Sequence, residues 1–163
     1  MDKYLIYALH IVVIALPLSL FEIIIEKDHG WGSGWDKNKW YAKPFMPTST
    51  LVARIVKMVN VQHPLTYHVL VFVCIIPVFL IFEYIQLVHN GLLLLSAYLA
   101  ILILEDFLWF VFNWNFDSLS QLLKGPHGSI WWQKSWIKIS TTHYLPTAYF
   151  VTLTISLALL FLA

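Results

Sequence analysis

One apolar segment dominates the sequence: residues 92–115 read LLLLSAYLAILILEDFLWFVFNWN. At about 1.5 Å per residue, a helix over this segment would cover the roughly 30 Å hydrocarbon core of a bilayer. Glu105 and Asp106 lie inside it, and a carboxylate at the centre of a spanning helix costs about 2.5–3.5 kcal/mol on insertion scales. Because neighbouring helix positions point about 100° apart, we expect the two acids to face different sides of one helix bundle.

The composition is typical of an integral membrane protein. Hydrophobic residues make up 60% of the 163 residues and charged residues only 12%, with a mean hydropathy of +0.73. These values exclude an ordinary water-soluble domain. The net charge is +1 and no basic run is present, so the sequence predicts no nucleic-acid partner. Cys74 is the single cysteine, which excludes an intramolecular disulfide.

Four segments are apolar and long enough to cross a bilayer. We therefore predict an all-α integral membrane protein, a bundle of four transmembrane helices in one domain over residues 1–163. The predicted spans are residues 5–25, 69–88, 92–113 and 145–162. In the last span, Ala148, Thr152 and Ser156 recur at intervals of four, which predicts a helix-packing face.

Two long loops are predicted, one after the first span and one after the third. In the first loop, Ser49 is a candidate cap for a short amphipathic helix over residues 49–59, which would lie along the lipid headgroups. In the second loop, the sequence predicts a belt of tryptophans at the membrane interface, formed by Trp131, Trp132 and Trp136. Nine of the ten basic residues lie in the two loops, so both loops are predicted to be cytoplasmic in a cell-membrane protein.

The predicted topology gathers polar side chains at the cytoplasmic end of the bundle. Glu105 and Asp106 are the predicted catalytic acids. The predicted metal ligands, for iron, manganese or zinc, are Glu22, Glu26, His68 and Glu105. Asn113 and His143 would orient those ligands.

Such a set of side chains admits three chemical interpretations. Carboxylates and imidazoles without thiolates suit a carboxylate-bound metal, although no established metal-binding spacing is present. Alternatively, Glu105 acts without metal as a buried proton donor or acceptor for a lipid-soluble substrate. A third interpretation is a path for cations or protons through the membrane.

Four short motifs resemble those of a family of small bacterial and archaeal four-helix membrane proteins without an assigned function. The motifs are EIIIEKDHGW at residues 22–31, PLTYH at 64–68, LEDFLWF at 104–110 and PTAY at 146–149. This chain has Gln133 where that family carries a histidine. The LEDFLWF motif is also similar to the acidic and aromatic segment of membrane lycopene cyclases, a likeness that implies acid chemistry on polyenes without a metal.

The favoured hypothesis is a membrane-embedded enzyme that acts on a lipid or isoprenoid through a carboxylate and histidine site. The alternatives are an ion or proton transport or channel protein, and an accessory membrane subunit whose inward acids pair with a partner chain. The lipid bilayer is the predicted partner, and a homo-oligomer would be needed for a pore because four short helices enclose little space.

Overall fold

The structure is a computed structural model, and it describes residues 3–27, 30, 35–45, 65–85, 89–130, 132, 133 and 135–163, with Lys3 and Glu83 described by backbone only. Helix is the main secondary structure. Helix α1 is Lys3–Glu26, α2 joins Thr66–Val69, Leu70–Ile75 and Ile76–Glu83 without a break, α3 is Gly91–Phe112, α4 is Ser118–Leu123 and α5 is Thr147–Leu162. Strands β1, Trp136–Lys138, and β2, Tyr144–Pro146, form an antiparallel hairpin. Trp40–Ala42 and Gly125–His127 are short 3-10 turns.

Two helices are long and apolar enough to cross a membrane: Tyr4–Glu26 within α1, and all of α3. The 22 residues of α3 would measure about 33 Å. The apolar parts of α2 and α5, Thr66–Phe82 and Thr147–Leu162, are shorter than either of these two helices. The helical class is therefore confirmed, and the four-span bundle stays a prediction. The amphipathic helix predicted at residues 49–59 lies outside the described residues.

Helix α3 lies at the centre, with α1 packed on one side and α5 on the other. Asn90 caps its start, since the side-chain oxygen accepts hydrogen bonds from the backbone N–H groups of Leu92 and Leu93 at 3.0 and 3.1 Å. At the far end, Asn113 donates through Nδ2 to the carbonyl of Lys27 at 2.6 Å. Lys27 has a positive φ of 56°, the left-handed conformation that commonly ends a helix. The carboxyl ends of α1 and α3 are thereby joined.

Helix α2 contains a wide, π-helical turn at Leu70–Ile75, which ends two residues before Pro77. Proline lacks a backbone N–H, and its ring crowds the carbonyl one turn earlier. In the wider turn, the Ile76 N–H bonds to the carbonyl of Val71, five residues earlier, so the backbone is widened just before the proline. The helix therefore continues past the proline.

A polar layer joins three helices near the end of the bundle opposite Asn113. Ser96 Oγ lies 2.7 Å from the hydroxyl of Tyr7 and donates to the carbonyl of Ser156 at 2.7 Å. Ser156 Oγ donates in return to the carbonyl of Ser96 at 2.9 Å. Ser156 thus lies on a packing face, as its position in the small-residue stripe predicts. Ala148, from the same stripe, is exposed.

The second loop is more ordered than the sequence predicts, since it contains α4 and the β-hairpin. Trp132 is only 8% exposed and stacks on Phe110, with ring centroids 6.2 Å apart. Trp132 therefore packs inside the protein, because the loop folds back over the end of α3, and its position relative to the membrane stays a prediction. Trp131 lies outside the described residues.

Candidate functional site

Acidic side chains and tyrosine hydroxyls from four helices meet in one half of the bundle. Residues from the end of α1, the start of α2, the second half of α3 and the start of α5 contribute. The predicted site residues that the structure brings together are Glu22, Glu26, His68, Glu105 and Asp106. Two tyrosines that sequence reasoning did not select, Tyr67 and Tyr149, complete the group.

Glu22 and Glu105 form the centre of the site. They are 7% and 2% exposed, and their carboxyl groups are hydrogen-bonded to each other. Two carboxyl groups can make such a bond only when one of them carries a proton, since ionised carboxylates are acceptors alone. No Lys or Arg within the described ranges forms an ion pair with either acid. The geometry therefore defines a proton-sharing carboxyl pair between α1 and α3.

Tyr67 adds a third polar group to this pair. Its hydroxyl donates to Glu22 Oε1 at 3.3 Å, which fixes one oxygen of Glu22. Trp35 covers the tyrosine ring edge to face, with centroids 5.2 Å apart, and donates through Nε1 to the Ile25 carbonyl at 3.2 Å. The first loop thus encloses the α1–α2 side of the site.

Glu26 and His68 lie beside the carboxyl pair. Glu26 Oε1 is 3.8 Å from His68 Nε2, and both side chains are 4% exposed. Glu22 and Glu26 are one helical turn apart, which places them on the same side of α1, as their spacing predicts. The ring of His68 stacks on Phe72 at a centroid distance of 6.1 Å. This arrangement extends the polar site along α1 and α2.

Asp106 faces the opposite neighbour of α3. Its carboxylate accepts a short hydrogen bond from the hydroxyl of Tyr149, on the first turn of α5. Glu105 and Asp106 therefore contact different helices, as the 100° step between adjacent helix positions predicts. Tyr149 belongs to the PTAY motif, but its helix is apolar and contains no charged residue that would have indicated a functional role for this tyrosine.

Two buried polar atoms on α3 have no hydrogen-bond partner in the part of the chain that the structure describes. They are Glu105 Oε1 and Trp109 Nε1. The indole of Trp109 is 3% exposed and lies among aromatic rings, 5.1 Å from Phe110, 6.4 Å from Phe116 and 6.0 Å from Trp132 between centroids. Glu105, with its unpartnered oxygen, therefore lies one helical turn before Trp109 on the same face of α3.

The remaining predicted site residues have other positions. Asn113 is buried but bonded to the Lys27 carbonyl, at the end of the bundle. His143 is exposed in the β-hairpin, where Nδ1 lies 2.9 Å from the Ser140 hydroxyl, so the structure does not bring it into the site. Within the described residues, no three His, Cys, Asp or Glu side chains form a group that could hold a metal ion. The predicted role of iron, manganese or zinc stays a prediction.

Comparison with known proteins adds no relative from which a function could be inferred. No protein-family model, no curated protein and no solved structure matches this chain.

Proposed function

We propose that this protein is a membrane-embedded enzyme that transfers protons to and from a lipid-soluble substrate, an isoprenoid or a related lipid. The observation that carries the proposal is the buried hydrogen bond between the carboxyl groups of Glu22 and Glu105. That pair holds a proton away from water, and one oxygen of Glu105 has no partner among the described residues. A positioned carboxyl group of this kind is a general acid.

The chemistry that suits this site is the isomerisation of a carbon–carbon double bond. The π electrons of the substrate take the proton from the carboxyl pair and form a C–H bond. Loss of a proton from the neighbouring carbon to the resulting carboxylate then restores the acid and shifts the double bond. The reaction consumes no other reagent. The rings around Trp109 and Trp132 would stabilise the positive charge of the intermediate through their faces.

The outer surfaces of the helices support a bilayer location for this site. Large apolar side chains are exposed on every apolar helix, including Val13 at 64%, Phe82 at 65%, Leu95 at 48% and Phe161 at 86%. Continuous apolar exposure on this scale is unusual for a soluble monomer and is typical of a lipid-facing or protein-facing surface. A lipid-soluble substrate would reach the acids from the same medium.

Proton conduction through a single copy is less well supported by the packing. Between Glu105 and the serine layer at Ser96, the interior is filled by apolar side chains, among them Ala15, Ile76 and Ile101, each 0% exposed. The nine residues from Ser96 to Glu105 correspond to about 13.5 Å along α3. The polar side chains described in this region bond to backbone carbonyls, Ser19 to Leu16 at 2.9 Å and Tyr98 to Phe72 at 2.8 Å. This packing supports local chemistry at the acids better than transfer across the membrane.

Isotope incorporation tests the proposal whatever the structure of the product. Purified protein in lipid nanodiscs is incubated in D2O with linear isoprenoids, for example farnesol, squalene and β-farnesene, and the recovered lipids are analysed by mass spectrometry. We expect deuterium at a carbon position with wild type and none with Glu22→Gln or Glu105→Gln. Wild-type protein that incorporates no deuterium into any isoprenoid, while the same preparation is folded, contradicts the proposal.

Metal content is a separate question for the same preparation. Glu22, Glu26, His68 and Glu105 are the ligands that the sequence predicts for iron, manganese or zinc, although no three of them form a metal-holding group in the described part of the chain. Elemental analysis of wild type and His68→Ala measures this directly. Stoichiometric metal that His68→Ala loses would support a metal-dependent version of the reaction, and incorporation by metal-free protein would support the acid mechanism alone.

A further inference from the structure

The two unpartnered atoms on α3 point to a specific feature of the substrate. Glu105 and Trp109 are four residues apart, so their side chains lie on one face of the helix. Both are almost fully buried, at 2% and 3% exposed, and Glu105 Oε1 and Trp109 Nε1 bond to nothing in the described residues. Buried polar groups are normally satisfied, and an exception needs a physical explanation.

The chemistry of the two atoms defines their complement. The indole Nε1–H of Trp109 only donates, whereas the oxygen of Glu105 that is not engaged with Glu22 can accept. A hydroxyl group satisfies both, because it accepts from the indole and donates to the carboxyl oxygen. A carbonyl group satisfies only the indole, and a hydrocarbon satisfies neither.

We infer that Glu105 and Trp109 form a recognition site for the hydroxyl group of a lipid alcohol, whose apolar chain lies against the aromatic cluster of Trp109, Phe110 and Trp132. This inference rests on the proposed function, since it assigns the substrate class of the same site. It adds that the alcohol is held on one face of α3 beside the acid that donates the proton. The competing occupant is a water molecule, which would satisfy the same two atoms.

The experiment uses non-reacting probes, so that it reports binding without turnover. The full-length protein is labelled with ¹⁵N at its eight tryptophans, placed in nanodiscs, and titrated with 1-dodecanol or with dodecane at equal mole fractions in the lipid. The Trp109 indole signal is assigned from Trp109→Phe. We expect dodecanol to shift this signal and to bind about tenfold more tightly than dodecane, the ratio expected when one buried hydrogen bond is made instead of lost.

Three variants separate recognition from catalysis. Trp109→Phe keeps an aromatic ring but removes the N–H, so it should lose the preference for dodecanol over dodecane. Glu105→Gln keeps an oxygen acceptor, so it should keep the preference within about threefold and lose deuterium incorporation. Trp114→Phe, at an indole that is 66% exposed, is the matched control and should change neither.

The outcomes of the two tests are distinguishable. A dodecanol preference without deuterium incorporation would overturn the proposed reaction and keep the alcohol site. Equal binding of dodecanol and dodecane, or a dodecanol titration in which no tryptophan indole signal of wild type moves, would overturn the alcohol site and favour bound water. The wild-type titration needs no variant, so the inference can be refuted even if Trp109→Phe does not fold.

Discussion

Replacement of Glu105 by Gln separates proton transfer from packing, because the two side chains have nearly the same shape. Glu105 is 2% exposed and bonded to Glu22. In the variant, the amide group can donate to Glu22 in place of the shared proton. We therefore expect the free energy of unfolding to change by no more than about 1 kcal/mol. Deuterium incorporation should fall by at least about 100-fold, the usual contribution of a positioned general acid.

The contrast with Glu105→Ala shows why the amide is needed. Truncation of a large buried side chain to Ala costs about 2–5 kcal/mol through the lost contacts and the remaining cavity. Glu22 would also lose its hydrogen bond to Glu105 and keep only the one from Tyr67, and an unsatisfied buried polar group costs about 1–3 kcal/mol. An inactive Ala variant would therefore not distinguish a chemical role from a loss of fold.

The assay measures both quantities on one nanodisc preparation: the melting temperature, and deuterium incorporation into an isoprenoid from D2O. Asp117→Asn is the matched control, since Asp117 is an exposed acid outside the site and its change to an amide should affect neither. A Glu105→Gln variant that melts like wild type and incorporates deuterium at the wild-type rate would refute the role of Glu105 as proton donor.

Three further predictions concern packing and topology. Tyr149→Phe removes the hydroxyl that donates to Asp106 and should destabilise the protein by about 1–3 kcal/mol. The measurement is the melting temperature in detergent, which should fall. An unchanged melting temperature would show that this bond contributes nothing to stability. Ser96→Ala removes two hydrogen bonds of the serine layer and should lower the stability by about 1–2 kcal/mol in the same assay. A loss of less than about 0.3 kcal/mol would contradict this prediction. For topology, cysteines are introduced at the exposed positions Asn38 and Ser129 after the native cysteine is replaced. Both should react with a membrane-impermeant maleimide from the cytoplasmic face. Reaction from opposite faces would contradict the predicted topology.

The helices could be predicted because hydrophobic runs of about 20 residues are unambiguous in sequence. The predicted spans over residues 5–25 and 92–113 agree within two residues with α1 and α3. The β-hairpin could not be predicted, because its strands are three residues long and carry no alternating pattern. The burial of Trp132 was also out of reach, since an indole suits both a membrane interface and a core, and only the tertiary contact with Phe110 selects the core.

The acidic half of the site could be predicted, and its partners could not. Acids in apolar helices are conspicuous, and the angular step between adjacent positions separates Glu105 from Asp106. Tyr67 and Tyr149 carry no comparable signal, because a tyrosine in an apolar helix is as compatible with lipid contact as with a hydrogen bond. Which tyrosine meets which acid depends on the rotation of each helix about its own axis. That rotation is set by side-chain packing between helices rather than by the sequence of one helix.

The two adjacent acids have different structural consequences for α3. Asp106 is held by Tyr149, which fixes α3 against α5 at one rotation about its axis. Glu105 then faces α1 and shares a proton with Glu22, while its second oxygen has no partner in the described residues. If α3 rotated about its axis so that this oxygen met another hydrogen-bond donor, Asp106 would move away from Tyr149 and their hydrogen bond would break. The fold thus keeps an acidic oxygen next to the aromatic cluster, and the hydrogen bond one residue away stabilises that arrangement.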